Sequence, residues 1–237
     1  MRLDQYLTKN SEIQSRNKAT ELIKSNKIKV NEVIVSKPSF IIENPDLVKI
    51  EILEEDFFVS RAAYKLKYFL DEINIDLENK NALDIGSSTG GFTQILLLNK
   101  VKKVSCVDVG SNQLHEKIKE NKKIKFFENT DIRDFNSDEI FEIVTCDVSF
   151  ISIHNILNDI NRLSKDKIII LFKPQFEVGK NVKRDKKGVV KDKNAINLAR
   201  KKFIDETISL NWKLIYNSKS KLQGKDGNEE ELFYFSK

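Results

Sequence analysis

The chain has 237 residues, 40% of them hydrophobic and 32% charged, with a formal net charge of +5, an ordinary soluble composition with room for one full α/β domain and a small second module. Its longest apolar stretch, residues 168–172, has the length of a buried strand and excludes a membrane-spanning helix. The first residues contain Asp4 and Glu12 and no apolar core, which excludes a secretory signal there, so a cytoplasmic protein is expected.

Cys106 and Cys146 lie inside apolar, strand-like runs and are expected as small core residues. Neither His115 nor His154 stands near them at ligand spacing, so no metal site is expected. Charge is unevenly spread: residues 1–40 carry eight Lys and Arg against four acids, residues 173–202 carry eleven against three, and residues 41–56 hold six acids and one lysine. Two separated basic patches suit a phosphate-backbone partner, although a charge run is also what a solvated face looks like.

In chain order, residues 1–45 form a unit of their own. Leu3, Tyr6 and Leu7 share one face of a short helix, and a second helix begins at Ser15, a hydroxyl N-cap, with Ala19, Leu22 and Ile23 on its apolar side. It stops at Ser25-Asn26, where Asn takes the left-handed conformation usually given to Gly. Residues 28–30 and 33–35 alternate around Asn31-Glu32 as a hairpin, followed by Lys37-Pro38. Arg16 and Lys18 stand in the first turn of the second helix, where free N–H groups and the helix dipole also attract a phosphate.

Residues 46–59 read as an acidic, strand-like linker, and Ser60 as the cap of a helix to about residue 71, with Ala62, Leu66 and Phe69 inward and Lys65 just ahead of the next strand. The stretch 81–93, NALDIGSSTGGFT, reads as a buried strand, a glycine-rich turn and the first turn of a helix. Its Asp-x-Gly-x-x-x-Gly-Gly spacing, from Asp84 through Gly86 to Gly90 and Gly91, differs from the Gly-x-Gly-x-x-Gly of dinucleotide sites and favours a ligand without a pyrophosphate. A second acid, Asp108, closes the strand 104–107 and suits ribose hydroxyls. An adenosine pocket with an amino-acid group over the glycine turn fits S-adenosylmethionine.

Further strands are expected at 124–128, leading to Asp131 near an adenine amino group, at 140–146, ending in Asp147, and at 168–172, ending in Lys173. Between them a helix is expected at 113–120, and after the basic loop 180–187 another at 194–210, before closing strands at 212–217 and 230–235. Strands alternating with helices imply a doubly wound, mostly parallel α/β sheet with its ligands at the strand C-termini. A pocket for S-adenosylmethionine beside Lys65, Asp147 and Lys173 can align an acceptor and make it more nucleophilic; a lysine beside a ribose 2′-hydroxyl either removes its proton or stabilises the emerging alkoxide.

The Arg-Leu-Asp start, Ser-Arg-x-Lys-Ala helix opening, Lys-Val-Asn turn and Lys-Pro-Ser exit resemble the S4-type RNA-binding domain, with Asn26 where that family commonly has Gly. The ordered motifs Ser-Arg-Ala-x-x-Lys-Leu, Asp-Ile-Gly-x-Ser-Thr-Gly-Gly-Phe-Thr, Asp-Val-Gly-x-Asn-Gln-Leu, Asp-Val-Ser-Phe-Ile-Ser, Lys-Pro-Gln-Phe-Glu and Gly-Asn-x-Glu resemble the TlyA (haemolysin A) family of ribosomal RNA 2′-O-methyltransferases, FtsJ-like in their catalytic domain. Two positions depart from that pattern: Ala63-Tyr64 follow Ala62 where Gly is commoner, and Ser87 replaces a usual Ala. The resemblance implies a Rossmann-like class I methyltransferase over 60–237, acting on cytidine 2′-hydroxyls in ribosomal RNA or ribosomal subunits. It also implies a catalytic tetrad of Lys65, Asp147, Lys173 and, from the Gly-Asn-x-Glu spacing, Glu230. By the same resemblance Lys173 is the central lysine, Asp147 and Glu230 orient it, and Lys65 holds substrate.

Cofactor contacts are expected at Asp84, Gly86, Ser87, Ser88, Thr89, Gly90, Gly91, Phe92, Asp108, Val109, Asp131 and Asp147. RNA contacts are expected at Arg2, Arg16, Lys18 and Lys27 in the leader and at Arg61, Lys183 and Arg184 in the catalytic domain. Two other classes fit parts of the chain: an RNA-binding ribosome-assembly factor without turnover, and a cytolysin, against which the lack of any strongly amphipathic apolar segment argues. A chain ending at Lys237, just past the last strand, suggests the compact, large-subunit-only form of the family.

Overall fold

The structure is a computed structural model and describes residues 1–237 apart from Glu12, Gln14, 54–57 and Lys225. Two compact units are present, Met1–Phe57 and Phe58–Lys237. In the first, α1 (Leu3–Asn10) and α2 (Arg16–Lys24) pack on a small antiparallel sheet of β1 (Ile28–Val30), β2 (Val33–Ile34) and β3 (Ile50–Ile52), in the order β2-β1-β3. Leu3, Leu7, Ala19, Leu22, Ile23 and Ile28 form its core. The Ser15 hydroxyl accepts the Lys18 N–H at 3.2 Å, as an N-cap does. Asn26 ends α2 with φ of 58°, and Asn31 and Glu32 turn the hairpin with φ of 47° and 69°, the paired left-handed residues of a type I′ turn. The strand-like stretch 46–59 supplies β3, its Ile50 and Ile52 alternating onto the sheet opposite Val30 and Ile28. Residues 54–57 of that stretch lie outside the described residues.

The second unit runs α3 (Arg61–Leu70), β4 (Asn81–Ile85), α4 (Gly91–Leu98), β5 (Lys103–Val107), α5 (Glu116–Lys119), β6 (Ile124–Phe127), β7 (Phe141–Cys146), α6 (Leu157–Leu163), β8 (Ser164–Phe172), α7 (Pro174–Glu177), α8 (Lys193–Ser209), β9 (Lys213–Lys219) and β10 (Glu231–Ser236). The sheet order is β6-β5-β4-β7-β8-β10-β9; its first five strands are parallel and β10 is antiparallel to both neighbours. One face carries a core including Leu66, Phe69, Leu96, Val104 and Ile169, the other a core including Ile160, Phe172, Phe203, Trp212 and Phe233. Cys106 and Cys146 are buried free thiols, one in each core. Because β4 lies between β5 and β7, the chain changes direction there and leaves a crevice beyond the strand C-termini.

Several elements of this unit differ from the sequence expectation. Helix α5 is one turn long, with His115 Nδ1 accepting the Lys117 N–H at its start. Strand β8 begins at Ser164, four residues before its apolar run, since Ser164 and Lys167 still pair with β7 and Lys167 with β10. Helix α6 is an addition, with Leu157, Ile160 and Leu163 recurring every three residues on its buried side.

Candidate active site

The crevice is a cavity of about 330 Å³ lined by the ends of β4, β5 and β7 and the turns that follow them. Gly86 opens its floor, with φ of +75°, and a Cβ there would stand 2.8 Å from the Asp147 carbonyl oxygen. Only glycine lets the β4 turn pass that close to the end of β7. Gly90 starts α4 in the left-handed region with φ of +87°, where a Cβ would meet Ile118 and Leu114. Both glycines are therefore demanded by the packing of the protein on itself as well as by any ligand. Asp108 ties the turn in place, one carboxylate oxygen accepting the Ser88 N–H at 2.8 Å and the other the Gly110 N–H at 2.7 Å. Asp131, on the opposite wall, is gripped by Arg133 through Nε at 2.9 Å and Nη2 at 2.6 Å, which holds its carboxyl below the usual range.

Of the expected cofactor residues, Gly86, Ser88, Asp108, Val109, Asp131 and Asp147 line this cavity. Asp84, Ser87, Thr89, Gly90, Gly91 and Phe92 do not. Asp84 is fully buried beneath the turn, accepting hydroxyls from Thr93 at 2.6 Å and Thr145 at 2.8 Å, and burial pushes its carboxyl up to about 7. Its place in the sequence motif thus marks a support for the turn and not a wall of the cavity. Gln113, Thr130, Ser149 and Phe150 join the lining beyond the expected set. Phe150 is the most unusual of them: 92% exposed, at φ of 66°, its ring 5.4 Å from that of Phe176. An aromatic residue held left-handed and solvent-facing at a cavity rim is strained backbone that packing alone does not explain.

Beside the cavity stand two ion pairs. Lys173 Nζ lies 2.5 Å from Asp147 Oδ1, without the alignment of a hydrogen bond, and donates to Ser149 Oγ at 2.8 Å. Lys65 Nζ donates to Glu230 Oε2 at 2.5 Å, and Gln175 Nε2 donates to the other oxygen of Glu230 at 3.1 Å. Lys65, Lys173 and Glu230 are all buried. Burial pushes the Asp147 carboxyl upward while Lys173 pulls it down, and the charges of Lys65 and Glu230 also act on it, so the two pairs share one electrostatic site. The three adjacent glutamates at the entry to β10 take different partners: Glu230 turns toward Lys65, Glu231 is ion-paired with Arg200 of α8, and Glu229 pairs with Lys219 at 2.6 Å.

Comparison with known proteins gives this arrangement a family. Residues 58–237 match the FtsJ-like methyltransferases and residues 1–48 the S4 domain. A 23S rRNA (cytidine-2′-O)-methyltransferase TlyA of Campylobacter jejuni is 48% identical over the full length of both chains. The chain belongs to the TlyA family. Hemolysin A of Brachyspira hyodysenteriae is 36% identical over 99% of each chain, and the 16S/23S rRNA (cytidine-2′-O)-methyltransferase TlyA of Mycobacterium tuberculosis 31% identical over 98% of this chain and 88% of its own. Among solved structures, a protein named as a hemolysin from Streptococcus thermophilus superposes with a TM-score of 0.74 at 28% identity, covering all of this chain and 88% of that one. The chain is therefore an enzyme of the S-adenosylmethionine-dependent methyltransferase fold.

The basic residues expected to meet RNA divide by what they touch. In the S4 unit of this TlyA-family chain, Arg2 and Arg16 both bind the buried carboxylate of Asp4, at 3.0 and 2.8 Å, and hold it well below the usual range, at about 2. Lys18 pairs with Glu21 at 3.5 Å and Lys27 is half-buried at the end of α2. In the FtsJ-like unit Arg61 is exposed and donates to the Gln223 carbonyl at 3.1 Å, and Lys183 is exposed on the basic loop. Arg184 does not face solvent freely: its guanidinium donates to the backbone carbonyls of Val182, Gln175 and Gly179 at 2.8, 2.9 and 3.1 Å.

Proposed function

We propose that this chain methylates the ribose 2′-hydroxyl of a cytidine in large-subunit ribosomal RNA, with S-adenosylmethionine in the crevice and Lys65, Asp147, Lys173 and Glu230 as the catalytic residues. The observation that carries this reading is the position of Lys173: its ammonium is held 2.5 Å from Asp147 and 2.8 Å from Ser149, both of which line the cavity. The residues present fit the cofactor. A cavity of about 330 Å³ falls within the usual size for small-ligand sites, Asp108 stands at a strand tip where ribose hydroxyls bind, and Gly86 keeps the cavity floor free of a Cβ. When bound there, S-adenosylmethionine supplies a methyl group already made electrophilic by its sulfonium.

The protein's part is then to align an acceptor and stabilise the charge that grows on it. Lys173, ion-paired with Asp147, places a positive charge where the 2′-oxygen loses its proton. Lys65 is fixed by Glu230, itself braced by Gln175, as a second cation for the ribose or its phosphate. Phe150, exposed at the rim against Phe176, offers a flat face for the base of the acceptor nucleotide. The two expected basic regions and the S4 unit support an RNA substrate, and the function named for the Campylobacter relative supports the 23S molecule and cytidine. Such a substrate places the protein in the cytoplasm; among the described residues no helix is long and apolar enough to cross a membrane.

Transfer of labelled methyl to unmodified ribosomal subunits and to free rRNA tests the proposal, comparing the natural chain with Lys173→Ala. Label in alkali-stable dinucleotides, reduced roughly 10²- to 10⁴-fold in the variant, is the expected result. Cofactor binding with no label on any RNA would overturn it in favour of an assembly factor.

A further inference from the structure

Residues 182–190 form a small hairpin strapped to the catalytic residues at both of its ends. At one end Arg184 donates to the Gln175 carbonyl, two residues beyond Lys173, and also to Gly179 and Val182. The side chain of that same Gln175 donates to Glu230. At the other end the Val190 N–H is accepted by Asn228 Oδ1 at 3.1 Å, two residues before Glu230, while Asn228 Nδ2 reaches back to the Gly188 carbonyl at 3.5 Å. Between these anchors the Arg184↔Val190 bridge, the Asp185 N–H to Val189 carbonyl bond at 3.0 Å, and the Asp185 carboxylate accepting the Lys187 and Val189 N–H groups close the hairpin. Val189, Val190 and Asn228 are buried, whereas Lys183, Lys186, Lys187 and Lys191 are exposed.

We propose that Arg184 and Asn228 are positioning residues for the catalytic Glu230 and for Gln175, which braces it, and that RNA is bound on the outer side of this strap by its exposed lysines and not by Arg184. The inference rests on the methyltransferase reading above and goes beyond it. A planar guanidinium whose donors already meet three carbonyls has little left for a phosphate, and a single point charge cannot replace it. A phosphate contact behaves in the opposite way, because the charge alone carries most of it. With the strap fixed on one side to the main chain that follows Lys173 and on the other to the approach to Glu230, the lysines that would track the RNA backbone and the groups that would handle its ribose belong to one continuous piece of structure.

The test compares Arg184→Ala, Arg184→Lys and Lys183→Ala in the full chain. For both Arg184 variants kcat is expected to fall roughly 10- to 100-fold, the effect of misplacing a catalytic group by about an ångström, with the rRNA Kd and its salt dependence unchanged and no rescue by lysine. For Lys183→Ala the Kd is expected to rise and the slope of log K against log salt to drop by about 0.7 to 0.9. Rescue by Arg184→Lys, or a reduced salt slope in Arg184→Ala, would make Arg184 an RNA contact and overturn the proposal. Hydrogen exchange provides a readout that needs no turnover: the amides of 175–177 and 228–231 are expected to exchange faster in Arg184→Ala. Unchanged exchange there would overturn the positioning role even if the natural chain methylated no RNA, whereas a natural chain without turnover but with the expected exchange would count against the methyltransferase reading alone.

Discussion

At Asp84 a carboxylate has no contact with solvent and rests on two threonine hydroxyls beneath the cofactor turn. Burial pushes it up to about 7, while an unfolded aspartate releases its proton near 4. Between those values the folded protein binds the extra proton, so the contribution of Asp84 to stability is complete below pH about 4 and is lost as pH rises through about 7. Chemical denaturation of the cofactor-free protein at pH 5, 6, 7 and 8 reads this directly. The natural chain should lose up to about 1.4 kcal/mol per pH unit relative to Asp84→Asn across that window and run parallel to it above. Parallel curves throughout would mean the carboxylate is ionised in the fold. Asp84 also marks where the sequence was legible and where it was not. The motif located the turn, since an acid and three glycines at that spacing are visible in the chain, but whether the acid faces a ligand or the core depends on Thr93 and Thr145, and Thr145 lies 61 residues away on another strand. Arg184 has the same history: a cation in a basic run suggests phosphate, and only the folded loop brings three carbonyls to it.

At the scale of elements, the segments after β7 and β8 carry most of the site and are zipped together. Lys173 meets Asp147 and Ser149, Phe176 meets Phe150, and Glu177 closes the end by accepting the Ser152 hydroxyl at 2.6 Å and the Ile153 N–H at 3.0 Å. Glu177 is itself buried against His154, which is bonded in turn to Glu206 of α8. Removing Glu177 leaves a half-buried hydroxyl and the Ile153 N–H without their acceptor, a loss of about 1 kcal/mol, and frees Phe150 from its left-handed conformation. Glu177→Ala is therefore expected to lower both the melting temperature and kcat, and Glu177→Gln, which keeps one acceptor oxygen, to recover most of each. A variant with full stability and reduced kcat would show that Glu177 touches substrate. Elements with an uninterrupted apolar pattern, such as the strands around Leu83 and Ile169, were evident in the chain. The start of β8 was not, because the charged residues ahead of its apolar run mask pairing that depends on the neighbouring strands and not on hydropathy.

The whole molecule has separate hydrophobic cores in its two units, with Leu3, Leu7 and Ile23 in one and the clusters on the two faces of the seven-stranded sheet in the other. Separate cores make all-or-none unfolding of the full chain an unsafe expectation and two calorimetric transitions the natural one. Unfolding enthalpy scales with residue number, so the Phe58–Lys237 unit should give a transition about three times the size of that from Met1–Phe57. The cofactor crevice is built entirely from the larger unit. S-adenosylmethionine at about 100 times its Kd should therefore add about 2.7 kcal/mol to that unit and raise the larger transition by roughly 5 to 10 °C, leaving the smaller one in place. An RNA fragment that engages the S4 unit should do the reverse, moving the smaller transition, and a substrate held by both units should move the two together. A single transition that shifts as a whole with the cofactor alone would show that the units unfold as one, so that cofactor binding in the crevice is felt by the RNA-binding unit before any RNA is present.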